Sequence, residues 1–279
     1  MEIFSDELEL CKTDIEISVK IWKEIFNTKL SSRITAAYFK GSALKEIATF
    51  VDYVPIISDI DFHVYTKEEY LMGNTLDDLD TSLDIISGYE SRFTEIHPNY
   101  FHIPRSSVHT MADLAKVVPF LSPLPEDVEV IFGDIPLTLF KQEDPDQFRK
   151  VDLNNIDETK KVFDMLAMDV YDRSTMDNWH LLRKLTWRIS PSASRVLSLI
   201  SENPQTVWSM NRTTVLQHLD KAGHQDLTVL VKSYYESAWT LFQSDFKDYS
   251  QYRKMFRLAF RIVNCCFDKA KEINLSDTF

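Results

Sequence analysis

Residues 36–65 read AAYFKGSALKEIATFVDYVPIISDIDFHVY, a segment in which two apolar runs are interrupted by polar residues. The first run stops at Gly41-Ser42, and the second carries Asp59 and Asp61. Because alternate residues of a β-strand project from one face, we expect the two carboxylates to lie side by side. Such a pair repels itself unless a cation separates its members, and Mg2+ takes oxygen ligands that it shares with phosphates. A glycine turn beside a hydroxyl suits the phosphates themselves.

The order of these two features resembles the signature of the nucleotidyltransferase superfamily that includes DNA polymerase β. In that family a strand ends at Gly-Ser and a later strand carries Asp-x-Asp, as Gly41-Ser42 and Ser58-Asp59-Ile60-Asp61 do here. The resemblance implies that Asp59 and Asp61 are catalytic and bind two Mg2+ ions. It also implies that Gly41 and Ser42 bind the phosphates of ATP or of another nucleoside triphosphate.

The family also implies a third carboxylate, on a strand beside the Asp-x-Asp strand. Val128–Phe132 is the next clear strand pattern, and its phrase Val128-Glu129-Val130 is similar to the strand that carries the catalytic glutamate of aminoglycoside adenylyltransferases. The resemblance implies that Glu129 is the general base or the third metal ligand. Asp127 and Asp134 are the alternatives, and another reading is that these acids only form a solvated strand edge.

The other segments of the N-terminal half predict helices around the strands. Apolar residues at helical spacing predict a helix over Leu8–Leu30, which would cover one face of the sheet, and another within Lys67–Tyr100. A short helix is expected over Ala43–Phe50, with its N-terminus beside the Gly-Ser turn, where backbone N–H groups favour an anion. The expected strands that flank it are Ile34–Lys40 and Ser58–Tyr65.

The stretch that follows contains three histidines, which invites a zinc hypothesis. His97, His102 and His109 match no zinc spacing, and Pro98 and Pro104 interrupt the stretch. We therefore expect a loop rather than a zinc site.

A polar stretch over Leu137–Asp152 marks the expected domain boundary. We predict an α+β chain in which residues 1–150 form a nucleotidyltransferase domain, a mixed sheet flanked by helices. Residues 151–279 are predicted to form an all-helical substrate-binding domain, an order that resembles the aminoglycoside adenylyltransferases. Helical patterns in this second part cover Asp157–Tyr171, Asn178–Ile189, Ala193–Ser201, Thr213–Lys221, Asp226–Ser244 and Tyr249–Ile273.

The composition narrows the class of protein. Hydrophobic residues make up 44% of the chain, enough for a sizeable core, and no apolar run reaches the roughly 20 residues that span a bilayer. The acidic beginning MEIFSDELEL does not read as a signal peptide. The cysteines Cys11, Cys265 and Cys266 are an odd set without metal-ligand spacing. We expect no membrane partner and a cytoplasmic location.

The formal net charge of −12 argues against a nucleic acid as the main substrate, because phosphate backbones need a basic surface. It suits a small cationic acceptor held by carboxylates. The resemblance then implies Mg2+-dependent transfer of a nucleoside monophosphate, AMP from ATP in the first instance, to a hydroxyl of a small acceptor such as an aminoglycoside-like antibiotic. The alternatives on the same signature are a toxin that nucleotidylates RNA or protein, a cyclic or oligonucleotide synthase, and a non-catalytic nucleotide-binding module.

Overall fold

A computed structural model describes residues 4–114, 116, 121–135, 140, 142–172 and 175–276. The described chain is α+β, as the sequence predicts, with one mixed sheet and many helices. It divides into two compact units. The sheet unit comprises residues 1–49 and 58–142, and the helical unit comprises residues 50–57 and 143–279.

The described part of the sheet unit contains one four-stranded sheet. Its strands are β1 (Ile34–Lys40), β2 (Asp59–Thr66), β3 (Arg105–Thr110) and β4 (Val128–Phe132). The spatial order is β3-β2-β1-β4, with β1 antiparallel to β2 and β4, and with β2 parallel to β3. The predictions for β1 and β4 are confirmed at both ends. The helices of this unit are α1 (Ser5–Ile25), its π-helical continuation Phe26–Leu30, α2 (Leu76–Ile96) and α3 (Met111–Leu114).

One face of the sheet packs on an aromatic core. Phe62 in the middle of β2 is fully buried, and its ring centre lies 5.4 Å from that of Trp22 and 5.5 Å from that of Phe26. Trp22 belongs to α1, so this helix covers one face of the sheet as predicted. Because side chains alternate along β2, the burial of Phe62 directs Asp59 and Asp61 to the opposite face.

Two local predictions were wrong. Residues Ala43–Phe50 do not form a helix: the Leu44 N–H donates to the Gly41 carbonyl at 3.2 Å to close a turn, and residues 46–48 have no regular structure. The stretch expected to be a loop contains Arg105–Thr110, which is strand β3 at one edge of the sheet. This polar segment is a strand because it pairs in parallel with β2. Its partner is distant in the sequence, so the segment itself shows no apolar pattern that would predict a strand.

The helical unit contains a helix in each stretch where the second half of the sequence predicts one. The single helix predicted over Asp157–Tyr171 is divided between Pro145–Asp164 and Leu166–Tyr171, and the helix Pro204–Ser209 was not predicted. Tyr234 and Trp239 on α10 are fully buried in its core, where α10 packs along α11. No helix among the described residues is both long and apolar enough to cross a membrane. The helices are α4 (Pro145–Asp164), α5 (Leu166–Tyr171), α6 (Asn178–Ile189), α7 (Ser192–Ile200), α8 (Pro204–Ser209), α9 (Arg212–Lys221), α10 (Gln225–Gln243) and α11 (Tyr249–Ser276).

Residues 50–57 attach to the helical unit through specific hydrogen bonds. Trp239 Nε1 donates to the Phe50 carbonyl at 2.9 Å. Asp52 is buried, and its carboxylate accepts from the Thr213 N–H at 2.9 Å and from the Thr213 hydroxyl at 2.7 Å, which caps the start of α9. These tertiary contacts outweigh the helical pattern of the preceding residues, since local propensity is a weak preference.

A buried carboxylate lies in the core of the helical unit. Asp152 on α4 is 1% exposed, and its Oδ2 accepts from the Ser198 hydroxyl and, at 3.1 Å, from Trp208 Nε1. Arg195 Nε lies 3.7 Å from the other carboxylate oxygen. Burial raises the pKa of Asp152 to about 6, although the two donors and the arginine oppose the shift.

This raised pKa predicts a pH-dependent stability that Asp152→Asn removes. The folded protein holds the Asp152 proton more tightly than the unfolded chain does, so the contribution of this group to stability falls as the pH rises from 3.8 to about 6. A shift of this size corresponds to roughly 3 kcal/mol in the free energy of unfolding. Between pH 4 and pH 7, the free energy of unfolding of the variant should rise relative to that of the wild type by up to this amount, as measured by urea unfolding.

The control for this experiment is Ser198→Ala, which removes a donor but keeps the carboxyl group. Its free energy of unfolding should still decline with pH as the wild type does, because Asp152 still titrates inside the fold. If the free energy of unfolding changes with pH in the same way in Asp152→Asn and in the wild type, folding does not raise the pKa of Asp152.

Candidate functional site

The two aspartates of β2 lie in a polar patch on the sheet face opposite the aromatic core. The register pairs Asp61 with Lys40 of β1 and with Ser107 of β3, and it pairs Asp59 with Arg105 of β3. Directly paired residues of neighbouring strands share a face, so their side chains form one group. We call this group the aspartate face: Lys40, Asp59, Asp61, Arg105 and Ser107.

The Gly-Ser turn closes directly onto this face. Gly41 has a φ of 95°, and a Cβ atom built on it would lie 2.5 Å from Asp61 Oδ2. Only glycine tolerates both this backbone conformation and this close approach. The structure therefore brings together Gly41 and Asp61, with Ser42 next in the same turn.

Arg105 forms an ion pair with the first aspartate. Its Nη2 donates to Asp59 Oδ2 at 2.7 Å, and the two side chains are 26% and 31% exposed. Because solvent screens a partly exposed pair, its contribution to stability is small. A guanidinium that pairs with a carboxylate can also pair with a phosphate. Sequence reasoning missed Arg105 because it missed β3.

Lys40 brings a second cation to the aspartate face. Burial lowers the pKa of Lys40, while the nearby carboxylates of Asp61 and Asp127 oppose that shift. Lys40 is the residue directly before the Gly-Ser turn, and its pairing with Asp61 places its side chain on this face. An ammonium group between two carboxylates neutralises part of their mutual repulsion.

Glu129 does not lie on the same face of the sheet as Asp59 and Asp61. Phe39 of β1 pairs with Phe62 on one side and with Glu129 on the other, so Glu129 shares the face of the aromatic core. Lys23 Nζ of α1 donates to Glu129 Oε1 there at 2.6 Å. The three-carboxylate group Asp59, Asp61 and Glu129 that the resemblance implies is therefore not assembled.

The alternative acids stand at opposite ends of β4. Asp127 ends a 3₁₀ turn (Pro125–Asp127) directly before Val128, and Val128 pairs with Lys40 at the Gly41 end of β1. Asp134 follows the other end of β4 and is exposed. Of the three acids Asp127, Glu129 and Asp134, Asp127 is the one whose charge acts on Lys40. It lies at the end of β4 that is next to the Gly41 turn.

His63 shares the face of the aspartates but has a structural environment. It is buried, and its Nδ1 lies 2.9 Å from the Tyr38 hydroxyl. Burial lowers the pKa of His63 to about 2, and the charges of Lys40 and His109 add to this effect. The imidazole is therefore neutral near pH 7, and its contact with Tyr38 stabilises the strand.

The three histidines that invited a zinc hypothesis do not converge. His97 Nε2 and His102 Nδ1 lie 3.1 and 2.8 Å from the two oxygens of the buried Asp14, whereas His109 lies on β3. Across the described ranges, no three His, Cys, Asp or Glu side chains are grouped so as to hold a metal ion.

The donors of the aspartate face suit Mg2+ that arrives together with a polyphosphate. Mg2+ commonly takes one or two carboxylates and completes its shell with phosphate oxygens and water. Asp59 and Asp61 supply two carboxylates, and the Gly41 turn leaves room beside Asp61 that a Cβ would fill. Lys40 and Arg105 offset part of the negative charge of the aspartates, so a phosphate is repelled less here than the paired carboxylates alone would repel it.

Comparison of the chain with family models, with curated proteins and with solved structures finds no match. The aspartate face is therefore interpreted from its own geometry.

Proposed function

We propose that this protein is a Mg2+-dependent nucleotidyltransferase that moves a nucleoside monophosphate, AMP from ATP in the first instance, to a hydroxyl of a small acceptor. The observation that carries the proposal is the closure of the Gly41 turn onto the Asp61 carboxylate, on the sheet face that also presents Asp59. A turn that exposes N–H groups beside paired carboxylates is suited to a metal-bound triphosphate.

Three residues of the aspartate face and the Gly41 turn have roles in this reaction. Asp59 and Asp61 would hold Mg2+, which would neutralise the triphosphate and lower the pKa of the attacking hydroxyl. The N–H groups of the Gly41 turn and the Ser42 hydroxyl bind the terminal phosphates. Arg105 turns from Asp59 toward the phosphates when they arrive, since a guanidinium pairs with either anion.

The chemical step is an in-line displacement. The acceptor oxygen forms a bond to the α-phosphorus, the bond from that phosphorus to the bridging oxygen breaks, and pyrophosphate leaves. The hydroxyl proton needs a base on the aspartate side of the sheet. Asp127 suits this role because its charge reaches Lys40, whereas Glu129 is bound to Lys23 on the other face.

The acceptor is proposed to be small and cationic. The net charge of −12 favours such a molecule and disfavours a nucleic acid. Aminoglycosides, which carry several amines and hydroxyls, are the first class to test. The helical unit is the proposed acceptor-binding part, as the resemblance to the adenylyltransferases implies.

Calorimetric titration with a non-hydrolysable ATP analogue tests this proposal. We expect binding that requires Mg2+ and that Asp61→Asn weakens by roughly 100-fold, because the variant removes a metal-binding charge. The matched control is Asp157→Asn, which removes an exposed negative charge from the helical unit and should leave the affinity unchanged. Equal affinity with and without Mg2+ would contradict the proposed metal-dependent site.

A second candidate is a non-catalytic module that binds a nucleotide or polyphosphate. The ion pair between Arg105 and Asp59, and the position of Glu129 on the opposite face, favour this alternative. It predicts that nucleotide binds without Mg2+ and that Arg105→Gln weakens binding more than Asp61→Asn does. The same titration therefore separates the two functions.

A further inference from the structure

Helix α2 exposes a row of large apolar side chains to solvent. Leu76, Leu79, Leu83 and Ile86 are 69%, 55%, 58% and 46% exposed, and their spacing of three, four and three residues places them along one side of the helix. We call these four residues the α2 stripe. The helix already buries a neighbouring face in the sheet unit, so the stripe is not required for its own packing.

The buried face of α2 shows what a packed surface on this helix looks like. Ile85, Tyr89 and Phe93 are its buried residues, and the Tyr89 hydroxyl donates to the Pro104 carbonyl at 2.6 Å. A helix in water needs one such apolar face to attach it to its domain. A second contiguous apolar row on the outside is typical of an interaction surface.

An open cleft lies at the start of the stripe. It has a volume of about 360 Å³ and is lined by Met72, Thr75, Leu76, Leu79 and Ser82, among others. The Thr75 hydroxyl accepts from the Asp78 N–H at 3.2 Å, which caps α2 and fixes this end of the helix. A cleft with both apolar and polar walls beside an exposed apolar row provides a place for one large anchoring side chain.

The charges beside the stripe are negative. Asp77, Asp80 and Asp84 are exposed on the helix flank next to it. A second copy of the same helix would bring these aspartates against one another, which is unfavourable. A partner with Lys or Arg on either side of its apolar residues would form ion pairs with these aspartates.

We propose that the α2 stripe and its acidic flank bind a basic amphipathic helix of another protein. The partner's apolar residues, at intervals of three and four, lie along Leu79, Leu83 and Ile86, and one large side chain enters the cleft. Its basic residues pair with Asp77, Asp80 and Asp84 and set its orientation. This interaction is independent of nucleotide chemistry on the aspartate face.

A model peptide tests the inference with the full chain. The probe is a fluorescent helix of about 18 residues made of leucine and lysine, with leucines at helical spacing. Fluorescence anisotropy should show saturable binding that weakens at least about tenfold in Leu79→Ser/Leu83→Ser. Asp80→Asn/Asp84→Asn should also weaken binding and reduce its dependence on salt.

The controls separate docking on α2 from attraction to an acidic protein in general. Met168→Ser/Val229→Ser changes two exposed apolar residues of the helical unit, 60% and 62% exposed, and should leave binding intact. Circular dichroism should show unchanged helix content and melting temperature in both serine variants, since all four positions are exposed. A leucine-glutamate peptide of the same pattern should bind at least about tenfold more weakly.

Two results would overturn the inference. One is equal peptide affinity in the α2 variant and the helical-unit control. The other is a concentration-dependent dimer of the wild type that Leu79→Ser/Leu83→Ser dissolves, seen by sedimentation equilibrium, because a second copy would then cover the stripe.

Discussion

Asp127→Asn should lower the rate of nucleotidyl transfer by roughly 100-fold or more, whereas Glu129→Gln should change it less than about threefold. The reason is the group on which each carboxylate acts. The charge of Asp127 reaches Lys40, which pairs with Asp61, while Glu129 pairs with Phe39 and binds Lys23 on the far side of the sheet. A base must lie within hydrogen-bond reach of the proton that it removes, directly or through one water.

Two measurements make this comparison decisive. The first is pyrophosphate release from ATP with an aminoglycoside as acceptor, and the second is affinity for a Mg2+-bound ATP analogue. Both substitutions replace a carboxylate by its amide of the same shape, so packing is retained. Glu129→Gln loses only an ion pair whose side chains are 40% and 44% exposed, which costs at most about 1 kcal/mol of stability.

The opposite result would identify Glu129 as the functional acid despite its position. A large loss in Glu129→Gln with normal folding, together with full activity in Asp127→Asn, would require the end of β4 to change register before catalysis. A shift of one residue moves every side chain of a strand to the other face, so such a change would be visible as altered hydrogen exchange along β4.

The contrast between these two acids also shows where sequence reasoning stops. The pattern over β1 and β4 was sufficient to predict both strands with correct ends, and alternation placed Asp59 and Asp61 on one face. The face of Glu129 depends on its register against Phe39, a partner far away in the chain. Local alternation states which residues of one strand share a face, but it does not state which face of the sheet that is.

The edge strand β3 illustrates the same limit. Its sequence RSSVHT lacks the apolar alternation of a half-buried strand, and it follows a proline that predicts a loop. Parallel pairing with β2 nevertheless makes it a strand and brings Arg105 to Asp59. The position of Arg105, one of the two cations of the aspartate face, could therefore not be predicted from the sequence, although the shared face of Asp59 and Asp61 could.

The failed helix over Ala43–Phe50 has a related cause. The pattern was compatible with a helix, but the chain leaves the Gly41 turn without regular structure, and its continuation is tied to the helical unit at Phe50 and Asp52. The Gly-Ser turn is therefore not followed by the N-terminus of a helix. Gly41 is therefore the position at which one added methyl group should disturb the site most.

Gly41→Ala should weaken binding of the Mg2+-bound ATP analogue by at least about 30-fold and lower the free energy of unfolding by about 2 kcal/mol. The added methyl group meets two obstacles. A φ of 95° is strained for alanine, and its Cβ would lie 2.5 Å from Asp61 Oδ2, so either the turn or the carboxylate must move. Both movements would separate the turn proposed to bind the phosphates from the carboxylate proposed to bind Mg2+.

Two other glycines separate these causes. Gly223 has a φ of 87° with nothing within 4 Å of an added Cβ, so Gly223→Ala should cost about 1 kcal/mol of stability through backbone strain alone and leave nucleotide affinity unchanged. Gly88 lies inside α2 with open space around it, and Gly88→Ala should stabilise the protein by roughly 0.5–1 kcal/mol. If Gly41→Ala behaves like Gly223→Ala, losing stability but keeping nucleotide affinity, the close approach of Gly41 to Asp61 does not form the phosphate site. A loss of affinity confined to Gly41→Ala, measured by calorimetry on all three variants, would tie nucleotide binding to that contact.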